Sequence, residues 1–211
     1  MENMKIQGLY AIIDNSIRPE LSNIEIAKRA LPGGTKIVQL RGKGLSSKEL
    51  LEQAREIREL TRKAGATFIV NDRADIALLS DADGVHLGQD DLPIAAARNV
   101  LGKAKLIGIS THNIEQALKA EQEGADYVGF GPVFGTTTKT DAEEAKGITA
   151  LAEVKTRVSI PVIAIGGITL ENLREVIDAG ANGTAVISAI AKADNIEETT
   201  KRFVYAVGGV K

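Results

Sequence analysis

Eight short β-rich runs recur along the whole chain, and their alternation with helix-like segments constrains the fold more than any other feature. The runs are Leu9–Ile13, Lys36–Leu40, Thr67–Val70, Gly84–Leu87, Leu106–Ile109, Tyr127–Phe130, Pro161–Ile165 and Thr184–Ile187. Most are apolar at successive positions, which is typical of parallel strands covered on both faces. Strands that alternate with helices pair in parallel through right-handed crossovers.

Capping patterns mark the helices between these runs. Three pairs have the spacing of a capping box: Ser46 with Glu49, Asn113 with Gln116, and Asp194 with Glu197. Glycines that could end helices in a left-handed conformation follow at Gly65, Gly124 and Gly180. No linker or break in composition divides the chain, so we expect one domain over residues 1–211, an α/β single-domain (β/α)8 TIM barrel. A doubly wound open sheet is the alternative, although the glycine-rich dinucleotide fingerprint after the first strand is missing.

Composition excludes several classes of function. The chain is 44% hydrophobic but only 3% aromatic, which predicts a core of Ile, Val, Leu and Ala. A net charge of -2, with no basic runs beside aromatic residues, argues against nucleic-acid binding. The absence of cysteine excludes disulfides, thiolate nucleophiles and Cys-ligated metals. There is no signal-like start and no apolar run of the roughly 20 residues that span a bilayer, so we expect a cytoplasmic protein without membrane partners. The oligomeric state stays open, a homo-oligomer included.

Polar residues cluster just past the carboxyl ends of the predicted strands, which in barrel enzymes form the rim where substrates bind. They are Gln39, Arg41 and Lys43, then Asn71 and Asp72, then Gln89, Asp90 and Asp91, then Ser110, Thr136 to Lys139, Gly166 and Gly167, and Ser188. Loops are polar in any case, so each residue also has a structural interpretation.

Asp72 and Asp91 are candidate metal ligands, because carboxylates from two neighbouring loops suit Mg²⁺. An Asp that opens a helix is often a cap, and Arg73 could pair with Asp72, so the alternatives remain open.

Three segments are candidate anion sites. Gln39, Arg41 and Lys43 alternate along a strand end and could form a clamp, or a solvated basic loop. Thr136, Thr137, Thr138 and Lys139 offer hydroxyls and an ammonium to phosphate oxygens. Gly166-Gly167 and Ile187-Ser188 follow the last two strands, where barrels often bind phosphate, although tight turns would explain the glycines equally. His86 and His112 lack metal-ligand spacing, and a structural or hydrogen-bonding role is expected for both.

Taken together, these motifs resemble the thiamine-phosphate synthase family. The resemblance rests on residues 38–43, 69–73, 84–93, 108–112, 129–139, 164–168 and 186–190, and extends from about residue 8 to about residue 206 in the family's order. It implies a transferase that joins a pyrimidinylmethyl diphosphate to a thiazole phosphate, or to its carboxylate form, giving thiamine phosphate and diphosphate.

The resemblance also implies roles for individual residues. Asp72 and Asp91 would carry Mg²⁺. The pyrimidine diphosphate would be held by Gln39, Leu40, Arg41, Gly42, Lys43, Asn71, Ser110 and Lys139, of which Arg41, Lys43, Ser110 and Lys139 would be catalytic. The thiazole phosphate would be held by Thr136, Thr137, Thr138, Gly167, Ile187 and Ser188. The sequence departs from relatives at Gly135, often Pro, and at Gly42, often a larger residue.

Three other functions fit parts of the pattern. A thiazole tautomerase, a paralogue on the same barrel, typically has His where Pro132 stands. A sugar-phosphate epimerase would need an acid–base pair on opposed strands. A non-catalytic phosphate sensor would not need two metal-binding carboxylates.

Overall fold

Eight parallel strands close into a barrel in which each strand pairs with the next along the chain and the last pairs with the first. The computed structural model describes residues 6–136 and 144–208. The strands are β1 Gly8–Ile13, β2 Ile37–Leu40, β3 Thr67–Asn71, β4 Gly84–Leu87, β5 Leu106–Thr111, β6 Tyr127–Phe130, β7 Val162–Ile165 and β8 Gly183–Val186. The predicted (β/α)8 class is therefore confirmed, and the open doubly wound sheet is excluded.

Helices surround the barrel and connect successive strands. Within the described residues the α-helices are α1 Asn23–Ala30, α2 Ser47–Ala64, α3 Ala74–Leu79, α4 Ile94–Leu101, α5 Ile114–Gln122, α6 Gly147–Arg157, α7 Leu173–Asp178, α8 Ser188–Ala191 and α9 Ile196–Gly208. No helix in residues 6–136 or 144–208 is long and apolar enough to cross a membrane.

Of the three predicted capping boxes, one is confirmed, one is confirmed only at its cap residue, and one is wrong. Ser46 and Glu49 form a complete capping box at the start of α2. Asn113 caps α5, but the Gln116 side chain accepts from the His112 amide instead of from Asn113. At α9 the cap is Asn195 rather than Asp194, because the Asn195 side chain accepts from the Glu198 amide.

Alternation along the strands divides the buried residues into two cores. In β1, Leu9 and Ala11 face the helices, whereas Tyr10 and Ile12 point into the barrel. The prediction of a core built from Ile, Val, Leu and Ala is incomplete, because aromatic side chains also belong to the core. Five aromatic side chains are fully buried, namely Tyr10, Tyr127, Phe68, Phe130 and Phe203. The few aromatic residues are thus concentrated inside, and two tyrosines lie within the barrel itself.

Candidate active site

One open cavity of about 1000 Å³ lies at the carboxyl ends of the strands, and all eight strand–helix connections line it. Its lining includes Ser16 and Ile17, Arg41 and Lys43, Asn71 and Asp72, residues 88–91, residues 110–112, Gly131, Pro132, Gly135 and Thr136, residues 165–169, residues 185–189 and Lys192. The predicted convergence of rim residues is therefore observed for Arg41, Asp72, Asp91 and Ser188. Thr137, Thr138 and Lys139 lie outside the described residues.

The two predicted metal ligands meet in this cavity. Asp72 follows β3 with a φ of 63°, and its amide donates to the carbonyl oxygen of His86 at 2.8 Å. Asp91 follows β4, and its carboxylate accepts from the Gly88 amide at 2.6 Å. Arg73 pairs with Asp75, so the ion pair considered between Arg73 and Asp72 is not formed.

The two carboxyl groups interact directly, and Asp91 affects the ionisation of Asp72. Burial, a hydrogen bond with Asp91 and the charge of Asp91 raise the pKa of Asp72 to about 6, while Lys43 and Arg41 act in the opposite direction. Two ionised carboxylates this close repel each other unless a cation is shared. Among the described residues no group of three or more His, Cys, Asp or Glu could hold a metal ion. A pair of carboxylates fits Mg²⁺, which keeps several waters and shares phosphate oxygens.

Arg41 reaches the cavity from a nearly buried position, 7% exposed, and is anchored by a residue that the sequence analysis missed. Its Nη1 donates to Oδ2 of Asp14, which is 1% exposed. The other Asp14 oxygen accepts from the amide of Ser16 at 3.0 Å and from its hydroxyl at 2.6 Å. Asp14 directly follows β1, so its rim position was the signal that could have identified it.

The alternation along residues 39–43 predicted that Gln39, Arg41 and Lys43 would all face one site, but the structure separates Gln39 from the other two. Only Arg41 and Lys43 line it. Gln39 is buried beneath the cavity and donates to the hydroxyl of Tyr10 at 2.8 Å. Leu40 belongs to the core between strands and helices. A Cβ atom at Gly42 would lie 2.6 Å from Cδ1 of Leu50, so a larger residue at this position would require the Leu50 side chain to shift. The assignment of Gln39, Leu40 and Gly42 to a ligand stays a prediction.

Both histidines make hydrogen bonds, as expected. His86 lies between Tyr127, whose hydroxyl is 3.1 Å from Nδ1, and Ser110, whose Oγ is 3.0 Å from Nε2. His112 lines the cavity, and its Nδ1 lies 2.6 Å from the carbonyl oxygen of Gly131.

Two glycines allow the connection after β7 to pack closely against the connection after β6. Gly166 and Gly167 have φ values of 99° and 62°. A Cβ atom at Gly167 would lie 2.5 Å from the carbonyl oxygen of Gly135 and 2.8 Å from Cβ of Phe134. The Phe134 amide donates to the Gly166 carbonyl at 3.0 Å. The glycines therefore form a tight turn that also lines the cavity, with Ile187 and Ser188 of the next connection.

Comparisons with known proteins agree with this architecture. A family model described as thiamine monophosphate synthase matches residues 9–190. The thiamine-phosphate synthase of Methanospirillum hungatei is 50% identical over 196 residues, covering 93% of this chain and 95% of the relative. The structure of thiamine phosphate pyrophosphorylase from Pyrococcus furiosus has a TM-score of 0.89 and 41% identity, covering 97% of this chain and 96% of that one. An N-acetylmannosamine-6-phosphate 2-epimerase from Clostridium perfringens, at 20% identity and a TM-score of 0.68, shares the fold alone.

A closed parallel barrel with converging charged residues at its carboxyl rim defines a (β/α)8-barrel enzyme. Its sequence and structural relatives place it among transferases. The chain belongs to the thiamine monophosphate synthase family.

Proposed function

We propose that the chain joins 4-amino-2-methyl-5-(diphosphooxymethyl)pyrimidine to 4-methyl-5-(2-phosphooxyethyl)thiazole, giving thiamine phosphate and diphosphate. With the carboxylate form of the thiazole, CO2 would be released as a third product. The observation that carries the proposal is the meeting of Asp72 and Asp91 in one cavity with Arg41 and Lys43. A carboxylate pair beside two cations is suited to a diphosphate bound with a divalent cation.

Asp72 and Asp91 would hold Mg²⁺. When bound, the ion would neutralise charge on the diphosphate leaving group. Arg41 would bind the diphosphate oxygens as a fork, with its direction fixed by Asp14, and Lys43 would act as a point charge. Lys139 is proposed to add a third cation, and Asn71 and Ser110, which line the cavity, to donate further hydrogen bonds.

The thiazole phosphate is proposed to bind on the far side of the mouth. β7 and β8 lie across the closed barrel from β3 and β4, because eight strands follow one another in order. Gly167, Ile187 and Ser188 line the cavity there, and Thr136 lines it from the β6 connection. Thr137 and Thr138 are proposed to contribute from the same loop. A cavity of about 1000 Å³ is at the upper end of the usual size of ligand pockets, which suits two substrates.

The chemistry needs charge stabilisation rather than a protein nucleophile. The C–O bond to diphosphate would break first, and the pyrimidinylmethyl cation, stabilised by its own amino group, would be captured by the thiazole nitrogen. Preorganised charged groups are worth about 3–4 kcal/mol each, and a millionfold acceleration needs about 8 kcal/mol. Two or three such groups, with both substrates held in line, approach that requirement.

The alternatives are less well supported by the described residues. Pro132 lines the cavity at the position where tautomerases typically have His, and proline cannot transfer a proton. An epimerase needs an acid and a base on opposed sides of its substrate, whereas Asp72 and Asp91 interact directly with each other.

The test is product formation by the purified chain with both substrates and Mg²⁺. We expect thiamine phosphate and diphosphate in equal amounts, measured by liquid chromatography, and neither product when one substrate is omitted. Folded protein that forms no thiamine phosphate would contradict the proposal. Conversion of the thiazole carboxylate alone would indicate a tautomerase instead.

Replacing Gly167 with Ala is expected to raise the KM for the thiazole phosphate about tenfold. The added Cβ would push against Phe134 and Gly135 and displace the turn from the cavity. The KM for the pyrimidine diphosphate should stay within about twofold, since that substrate is proposed to bind across the mouth. Gly180→Ala is the matched control, because Gly180 also has a positive φ, of 87°, but does not line the cavity. Equal changes in both KM values would contradict the proposed division of the site.

A further inference from the structure

Five polar side chains form a continuous hydrogen-bond chain through the barrel interior to the cavity wall. Gln39 Nε2 is 2.8 Å from the hydroxyl of Tyr10, which is 2.9 Å from the hydroxyl of Tyr127. The Tyr127 hydroxyl is 3.1 Å from Nδ1 of His86, and His86 Nε2 is 3.0 Å from Oγ of Ser110. Ser110 lines the cavity. We call these five residues the interior chain.

The interior chain has a single direction if each of its buried hydroxyl protons has an acceptor within the chain. The Gln39 amide nitrogen can only donate, so the Tyr10 oxygen accepts from it. Tyr10 has one hydroxyl proton, and the Tyr127 oxygen is the acceptor that lies within reach of it, at 2.9 Å. Tyr127 therefore donates its own proton to Nδ1 of His86. Burial raises the pKa of both tyrosines above the ordinary value of 10.0, so both hydroxyls keep their protons.

The direction of the interior chain determines the tautomer of His86. Because Nδ1 accepts, the neutral ring of His86 carries its proton on Nε2 and donates to Oγ of Ser110. In a cationic ring both nitrogens carry protons. The Nδ1 proton would then face the Tyr127 oxygen, to which Tyr10 already donates. His112 is the opposite case, since its Nδ1 faces the Gly131 carbonyl oxygen, which can only accept. The two histidines of the chain should therefore be different tautomers.

Two glycines make room for the rings of the interior chain. A Cβ atom at Gly108 would lie 2.5 Å from the hydroxyl oxygen of Tyr127. One at Gly129 would lie 3.1 Å from Cε1 of His86. The backbone of β5 and β6 thus approaches both rings closely enough to hold their positions.

We propose that Tyr127 and His86 are positioning residues that make Ser110 a hydrogen-bond donor to the substrate. With His86 donating to Oγ, the hydroxyl proton of Ser110 is available to the cavity, where it suits an acceptor-only group such as a diphosphate oxygen. The inference rests on the proposed function for the identity of that ligand. The tautomers themselves do not depend on it.

The first test is ¹⁵N NMR of the two imidazole rings in the substrate-free protein. We expect His86 to carry its proton on Nε2 and His112 on Nδ1, and His112→Asn would assign the two sets of signals. A proton on Nδ1 of neutral His86, or a cationic His86 at pH 8, would overturn the interior chain's direction even in an active enzyme. If these tautomers are found but no thiamine phosphate forms, the proposed function fails and the direction of the chain stands.

The second test is kinetic. Tyr127→Phe removes one hydroxyl, admits the other tautomer of His86, and should lower kcat about tenfold, the equivalent of one hydrogen bond. In a Ser110→Ala background the same change should alter kcat less than about twofold, because Tyr127 acts only through Ser110. A tenfold loss in both backgrounds would show a structural role and overturn the proposal.

Discussion

Asp72→Asn is expected to lower kcat about a thousandfold while leaving the protein at least as stable as the wild type. Turnover should fall because one of the two carboxylates proposed to hold Mg²⁺ loses its charge. Asparagine is the appropriate substitution because Asp72 has a φ of 63°, a conformation that Asn tolerates better than Ala. Asp81→Asn is the matched control for turnover, although not for stability, because the Asp81 carboxylate pairs with Lys105 and Arg62. Asp81 also has a positive φ, of 51°, but follows α3 at the opposite end of the barrel.

The stability effect of Asp72→Asn has a definite pH dependence in metal-free protein. The pKa of Asp72 is raised from 3.8 to about 6 in the folded state, so the ionised carboxylate costs stability above pH 6, and the cost disappears as the pH falls towards 4. The variant should therefore gain about 1 kcal/mol in free energy of unfolding at pH 8, and little near pH 4, allowing for partial exposure. Urea denaturation in the presence of a chelator measures the free energy of unfolding of the variant and of the wild type at each pH. Activity within tenfold of wild type, or a loss of stability at pH 8, would contradict the account.

Asp14→Asn is expected to destabilise the fold by about 3 kcal/mol, because it leaves the buried Arg41 guanidinium without its counter-charge. Turnover should fall as well, since Arg41 would no longer be held towards the cavity. The matched control is Asp178→Asn, which breaks the exposed pair with Arg174 and should cost no more than about 0.5 kcal/mol. Urea denaturation measures the free energy of unfolding of both variants. Equal losses would show that Asp14 does not anchor Arg41.

Much of this architecture could be predicted because the repeating strand–helix unit places successive strand ends side by side. Each observed strand begins and ends within two residues of its predicted position. The meeting of Asp72 and Asp91 follows from the same rule, since β3 and β4 are neighbours both in sequence and in the sheet.

Two kinds of feature could not be predicted from the sequence: how deep a side chain lies within the barrel, and which side chains meet across it. Gln39 and Arg41 share one face of their strand, but Gln39 lies deeper and bonds to Tyr10. Tyr10 and Tyr127 are 117 positions apart in sequence, so nothing local in either segment indicates their hydrogen bond. Asp14 directly follows the first strand, so the rule that polar residues past strand ends form the rim predicts its position as well.

In the proposed function, charged groups from separate connections bind a diphosphate together with Mg²⁺. Calorimetric titration of inorganic diphosphate into the purified chain tests this most directly. We predict one binding site in the presence of Mg²⁺, with affinity about a hundredfold weaker in chelator and in Asp91→Asn. Binding of diphosphate with the same affinity in all three conditions would contradict it.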